Sequence, residues 1–92
     1  MLVSFHNLAN LELNEAAEYY QRESAALGQA FITEVERCTD EIVKYPEAGL
    51  VLGDSIRRRF PYALLYRVRP TEVRILAVMN LKRRPAYWVG RS

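Results

Sequence analysis

The chain has 92 residues, 50% hydrophobic and 26% charged, a composition that excludes a disordered chain and predicts a single domain over residues 1–92. Its longest apolar runs, residues 62–66 and 75–79, are far shorter than the roughly 20 residues that a spanning helix needs, and residues 1–6 lack the features of a signal peptide, so we expect a cytoplasmic location. Cys38 is the single cysteine, which excludes an internal disulfide and a multi-cysteine metal site.

Charge is distributed unevenly along the chain, although the formal net charge is only +2. Residues 1–50 hold three basic and nine acidic side chains, a net charge of −6, whereas residues 51–92 hold ten basic and two acidic ones, a net charge of +8. Such a basic half favours an anionic partner, either nucleic acid or an acidic peptide. We therefore expect positive charge to gather at one end of the folded molecule.

The first part of the chain predicts a short strand followed by a helix. Residues 2–6 are β-prone, and Asn7 or Asn10 can cap a helix because an Asn side chain accepts a hydrogen bond from a free amide of the first turn. Apolar residues at three- and four-residue steps predict a helix to about Glu23 with one buried face. The buried positions are Leu13, Ala16, Ala17 and Tyr20, and the positions expected to point elsewhere are Glu12, Glu15 and Glu18.

A second helix follows a break at residues 24–28. Its apolar stripe has the regular spacing four, three, four, three and consists of Phe31, Val35, Cys38, Ile42 and Tyr45. Cys38 is therefore expected to be a small buried hydrophobe. Pro46 should end this helix because it disfavours helical geometry in the preceding residue. Two such stripes predict an antiparallel helical hairpin lying on a sheet.

Three strands are predicted in the second half, at residues 55–60, 62–69 and 73–80, with a turn at Pro70-Thr71. The middle one alternates, with Tyr62, Leu64, Tyr66 and Val68 on one face. The element order is therefore β-α-α-β-β-β, an α+β fold in which the helical hairpin packs on a small, mainly antiparallel sheet.

A series of motifs extends over nearly the whole chain: Glu15-Ala16-Ala17-Glu18-Tyr19-Tyr20, Leu27-Gly28, Phe31, Glu34-Val35, Pro46, Gly49, Arg58, Phe60-Pro61-Tyr62, Tyr66-Arg67-Val68, Ile75-Leu76-Ala77-Val78, Arg83-Arg84-Pro85, Tyr87-Trp88 and Arg91. In their order and spacing these motifs resemble the RelE/ParE superfamily of toxins from type II toxin–antitoxin, or plasmid stabilisation, systems, and they are closer to its ParE branch. The resemblance implies a cognate antitoxin whose C-terminal segment wraps the toxin. We expect an acidic amphipathic peptide that covers Arg58 and the basic C-terminal cluster.

The resemblance leaves two activities open, cleavage of mRNA on the ribosome and inhibition of DNA gyrase. Many relatives carry a histidine after the last strand, where this chain has Asn80, which cannot shuttle a proton near neutral pH. His6 lies at the other end of the chain, and a tyrosine, with a reference pKa of about 10, is a poor base. Some nucleases of the family use Lys, Arg and Tyr instead, and a catalytic set of that kind would be Arg57, Arg59, Arg84 and Tyr87.

Inhibition of gyrase needs only a binding surface, and we prefer it as the first hypothesis. Its contact residues would be Arg58, Lys82, Arg83, Arg84, Trp88 and Arg91, although Trp88 could instead cover the edge of the sheet. A third hypothesis is a non-toxic member that binds only its antitoxin. Nothing in the sequence indicates a metal or an organic cofactor, because it has neither clustered ligands nor a glycine-rich phosphate loop.

Overall fold

The computed structural model of the protein describes residues 2–45, 60–82 and 89–91. In chain order the elements are β1 (Leu2–Phe5), α1 (Asn7–Glu23), α2 (Ala25–Lys44), β2 (Tyr62–Val68) and β3 (Glu72–Asn80). The predicted strand at residues 55–60 lies outside the described residues except for Phe60, which is buried. Neither described helix combines the length and the hydropathy needed to cross a membrane.

The described strands form one mixed sheet in the order β1-β3-β2. β2 and β3 are antiparallel neighbours, joined by the predicted turn, while β1 lies parallel to β3 on its other side. A parallel neighbour requires a long crossover connection, and α1 and α2 lie within the segment that links β1 to β3. The predicted α+β class, with two helices on a small sheet, is therefore confirmed, and the β1–β3 pair is the part of the sheet that is not antiparallel.

Polar side chains cap the N-termini of both helices. His6, and not Asn7 or Asn10 as predicted, caps α1, because its Nδ1 accepts a hydrogen bond from the amide of Leu8 at 3.1 Å. Ser24 alone separates the helices, and its Oγ accepts from the amide of Leu27 at 3.0 Å. Because these bonds satisfy amides that have no partner within the helix, both helices begin one residue after a cap.

Gly28 lets the two helices approach each other closely. A Cβ atom at this position would lie 3.0 Å from Cβ and 3.1 Å from Cα of Gln21, so the second atom belongs to the backbone of α1. A side chain at residue 28 would therefore push against α1 itself. The buried glycine explains how so short a connection can hold an antiparallel helical hairpin.

The core lies between the helices and one face of the sheet. Phe31, Val35, Cys38 and Ile42 of the α2 stripe are buried as predicted, but Tyr45 is 68% exposed because α2 ends at Lys44. At the centre, aromatic rings meet mostly edge to face with centroids about 5 Å apart, in a cluster of Tyr20, Phe31, Phe60 and Tyr62. Such ring pairs stabilise beyond the apolar area that they bury.

A β-bulge interrupts the pairing of β2 with β3. Leu65 pairs with Ala77 and Tyr66 pairs with Ile75, so Leu76 has no opposite residue. An extra residue of this kind shifts the inside–outside alternation along the strand. Val73, Ile75 and Val78 consequently all belong to the core cluster, which a strict alternation would not permit.

Candidate functional site

Two of the predicted site residues, Lys82 and Arg91, belong to the described part of the chain. The others lie outside it, namely Arg57, Arg58, Arg59, Arg83, Arg84, Tyr87 and Trp88. Lys82 is exposed just after β3, and its amide donates to Oδ1 of Asn80 at 2.9 Å. The Asn80 side chain thus closes the turn after β3.

Arg91 makes a two-pronged ion pair with Glu12 of α1. Its Nη1 lies 2.9 Å from Oε1 and its Nη2 lies 3.2 Å from Oε2 of Glu12, and the two side chains are only 12% and 15% exposed. The expectation that Glu12 points away from the buried face of α1 is therefore wrong, because its carboxylate lies toward the sheet. The proposed target contact of Arg91 becomes less favourable, because the guanidinium is paired within the protein. A paired, mostly buried guanidinium is a poor contact for an external target.

The ion pair also completes the hydrogen bonding of β3 around the bulge. Glu12 Oε1 accepts from the amide of Val78 at 3.1 Å, and Arg91 Nη1 donates to the carbonyl of Leu76 at 3.1 Å. A bulge disrupts the strand ladder locally, and unpaired buried backbone groups are costly. We therefore assign Glu12 and Arg91 a structural role, in which they join α1, β3 and the C-terminal segment.

The remaining cations of the described strands do not form one basic surface. Arg69 pairs with Glu72 at 3.6 Å, and Arg74 Nη1 donates to Ser4 Oγ at 3.2 Å. Arg67 is exposed and has no ion pair within the described residues. Tyr62, which pairs with Asn80, begins β2, and Arg67 lies five residues further along the same strand. This spacing puts Arg67 about 17 Å from the end of the sheet at which Lys82 follows β3.

Lys82 and Arg67 consequently occupy opposite ends of the sheet. The expectation that positive charge gathers at one end of the molecule depends mainly on the arginines at residues 57–59 and 83–84, which lie outside the described residues, so it stays a prediction.

The described candidates for proton transfer are occupied in other ways. Nδ1 of His6 caps α1, and Asn80 accepts from the chain that follows it. Burial, followed by the nearby Tyr62, Tyr19 and Glu23, raises the pKa of Tyr20 above its usual value of 10.0. A tyrosine with a raised pKa is a weaker acid and remains a neutral phenol at physiological pH. Among the described residues, no cluster of His, Cys, Asp and Glu side chains could hold a metal ion.

A groove of about 640 Å³ lies between α1 and the end of the sheet at which β2 begins and β3 ends. We call it the α1 groove. The described residues that line it are Glu12, Glu15, Ala16, Tyr19, Tyr20 and Glu23 from α1, and Pro61, Tyr62, Val78, Asn80 and Lys82 from the sheet side. Carboxylates and tyrosine rings dominate this lining, so the α1 groove is suited to a cation and repels a phosphate.

The α1 groove was not predicted from the sequence. One indication was available, because Glu15, Tyr19 and Glu23 follow one another at four-residue spacing and so share one face of a helix. The strand residues of the opposite wall could not be inferred, since their position depends on the packing of α1 against the sheet.

Comparison with known proteins identifies a family. The model of a family described as "ParE toxin of type II toxin-antitoxin system, parDE" matches residues 3–85. No curated protein and no solved structure matches the chain.

Proposed function

The chain belongs to the ParE toxin family of type II toxin–antitoxin systems, and from that premise we propose that it arrests growth by binding DNA gyrase. Membership of this family implies an antitoxin partner. We further propose that the antitoxin neutralises the toxin by covering its basic contact residues. Binding without bond-making requires a surface and no acid–base pair, in contrast to cleavage of RNA.

One observation carries the preference for binding over RNA cleavage. Within the described residues, the His6 imidazole and the Asn80 amide oxygen are engaged in hydrogen bonds that cap a helix and a turn. The α1 groove, which lies beside Asn80, is lined by the carboxylates of Glu15 and Glu23. A phosphodiester there would meet these two carboxylates, and no histidine is among the described lining residues, which opposes a histidine-dependent nuclease site at this position.

The proposed contact set is smaller than the sequence suggested. Lys82 remains in it because the side chain is exposed at the end of the hairpin. Arg58, Arg83, Arg84 and Trp88 remain in it for their charge or aromatic surface, and they lie outside the described residues. Arg91 is removed, because its guanidinium is held by Glu12 and by the carbonyl of Leu76.

A supercoiling assay tests this proposal directly. Purified protein at micromolar concentration should inhibit gyrase, and an excess of antitoxin should restore supercoiling. The charge-reversal variant Arg83→Glu/Arg84→Glu should inhibit at least about tenfold less, whereas Arg91→Lys, which keeps the charge, should inhibit like the wild type when both are folded.

Two other outcomes would replace the gyrase proposal. Unchanged supercoiling together with cleavage of mRNA on translating ribosomes would favour the nuclease set of Arg57, Arg59, Arg84 and Tyr87. Unchanged supercoiling, intact transcripts and normal growth on expression without antitoxin would indicate a non-toxic member that only binds antitoxin.

A further inference from the structure

The wall of the α1 groove that belongs to α1 is a row of alternating charge and aromatic surface. Glu15, Tyr19 and Glu23 are separated by four residues each, which is a rise of about 6 Å per step along the helix. Tyr19 is 57% exposed, so its ring lies open between two carboxylates. Buried Ala16, with its small side chain, lies on the groove side of the same helix and leaves space beside the ring.

Further tyrosine rings extend this aromatic surface toward the sheet. The ring of Tyr20 meets that of Tyr19 edge to face with centroids 5.2 Å apart, and it meets that of Tyr62 with centroids 6.3 Å apart. The α1 groove therefore crosses three neighbouring tyrosines from α1 to β2. Aromatic faces attract a cation that lies within about 6 Å of the ring centre.

The charge of the α1 groove is available to a partner. Glu12 is neutralised by Arg91, but Glu15 and Glu23 are exposed and form no ion pair among the described residues. Lys82 is the one cation among the described lining residues, and it follows β3 on the wall opposite α1. Two exposed carboxylates, without an ion pair among the described residues and beside tyrosine rings, present a negative surface.

An apolar ridge continues this surface toward the N-terminus of α1. Leu8 and Leu11 are 45% and 51% exposed, and with Glu15 and Tyr19 they follow three- and four-residue steps, which places all four on one side of the helix. A segment that lies along this ridge would contact apolar surface first, reach Glu15 about one to two helical turns later, and reach Glu23 about two turns beyond that.

We propose that the α1 groove receives a basic side chain of the antitoxin, whose cation lies between Glu15 and Glu23 while its aliphatic part packs on the tyrosine rings. The ridge of Leu8 and Leu11 then contacts apolar residues of the same antitoxin segment. Charge complementarity selects this occupant, since an acidic segment would be repelled here. The proposal rests on the proposed neutralisation by antitoxin, and it adds a basic anchor to a partner that the sequence led us to expect as an acidic amphipathic peptide.

The experiment compares two double variants that remove the same net charge. Glu15→Gln/Glu23→Gln alters the α1 groove, and Glu18→Gln/Glu36→Gln alters exposed carboxylates that do not line it. Binding of each full chain to the antitoxin encoded beside it is measured by calorimetry, after circular dichroism has shown that both variants are folded. We expect the groove variant to bind at least about tenfold more weakly and the control to stay within about twofold of the wild type.

A second arm identifies the residue that enters the groove. Each Lys and Arg of the antitoxin is replaced in turn by Met, which keeps length and apolar character but removes the charge. One replacement should weaken binding to the wild-type chain by about the same factor as the groove variant does. When that replacement is combined with the groove variant, the affinity should fall little further. Absence of such coupling for every basic residue of the antitoxin would overturn the proposal.

The possible results distinguish a failure of the basic anchor from a failure of the proposed neutralisation by antitoxin. Equal weakening by the groove and control variants, with antitoxin still bound and toxicity still neutralised, would overturn the basic anchor alone. A wild-type chain that binds no antitoxin at all would overturn both the proposed neutralisation and the anchor.

Discussion

The helices and the strands of this protein carry opposite net charges, and each region engages some of its charges within the fold and leaves others exposed. Residues 7–44 hold eight acidic and three basic side chains, and residues 60–82 hold four basic and one acidic. On the strand side, Arg69 and Arg74 are engaged within the protein, as is the C-terminal Arg91. On the helical side, Glu15 and Glu23 remain open at the α1 groove. A count of charges therefore indicates neither which of them hold the fold together nor which are left for a partner.

The largest expected effect follows from breaking the Arg91–Glu12 pair. Arg91→Met leaves Glu12 without its cation in a mostly buried position, which should lower the free energy of unfolding by about 3 kcal/mol. Arg67→Met, at an exposed arginine of β2, is the matched control and should change it by less than about 0.5 kcal/mol. Denaturant unfolding measures both values, and equal values would refute the structural role of Arg91.

A second prediction concerns the basic residues proposed for antitoxin contact. Arg83→Glu/Arg84→Glu should weaken the antitoxin complex about tenfold at low salt and make its affinity less dependent on salt, because screened attraction is lost. Arg22→Glu/Lys44→Glu makes the same change of net charge on exposed helical positions and should have a smaller effect. Affinity at low salt that is unchanged by the first variant would argue against this contact.

A third prediction sharpens the contrast between open and engaged charges. Glu15→Gln/Glu23→Gln should change the free energy of unfolding by less than about 0.5 kcal/mol, because exposed carboxylates without partners contribute little to stability. Glu12→Gln should lower the free energy of unfolding several times more, since it removes the charge that pairs with Arg91. If denaturant unfolding gives the same loss for both, Glu15 and Glu23 have structural partners and are not free for binding.

The smallest effect is expected from Tyr20 at high pH. Burial raises the pKa of this phenol above 10.0, and Tyr62, Tyr19 and Glu23 add to the shift. The unfolded chain therefore ionises first, so the contribution of Tyr20 to stability is complete below pH 10 and is lost as the pH rises through the folded-state pKa. Between pH 8 and 11, the wild type should lose more unfolding free energy than Tyr20→Phe. Tyr45→Phe, at a residue that is 68% exposed, is the control, and identical slopes for wild type and Tyr20→Phe would contradict the shift.

Features with short-range causes were predictable from the residues. The α2 stripe from Phe31 to Ile42 follows from helical periodicity, and the end of α2 before Pro46 follows from proline geometry. The α1 cap was placed on the wrong residue because Asn is the more usual capping side chain, whereas His6 is the residue whose ring nitrogen reaches the amide of Leu8. Exposure of Tyr45 was missed because periodicity does not show where a stripe leaves the core.

By itself the sequence determined the two helices, the hairpin of β2 and β3, and a family resemblance that extends over nearly the whole chain. Only the tertiary structure decided that Glu12 binds Arg91 across 79 positions of the chain, that Leu76 forms a bulge, and that Glu15, Tyr19 and Glu23 face Tyr62 and Asn80 across a groove. Helix and turn formation depend on neighbours a few residues apart. Ion pairs and grooves depend on which distant side chains the packed core brings together, and no local pattern encodes that choice.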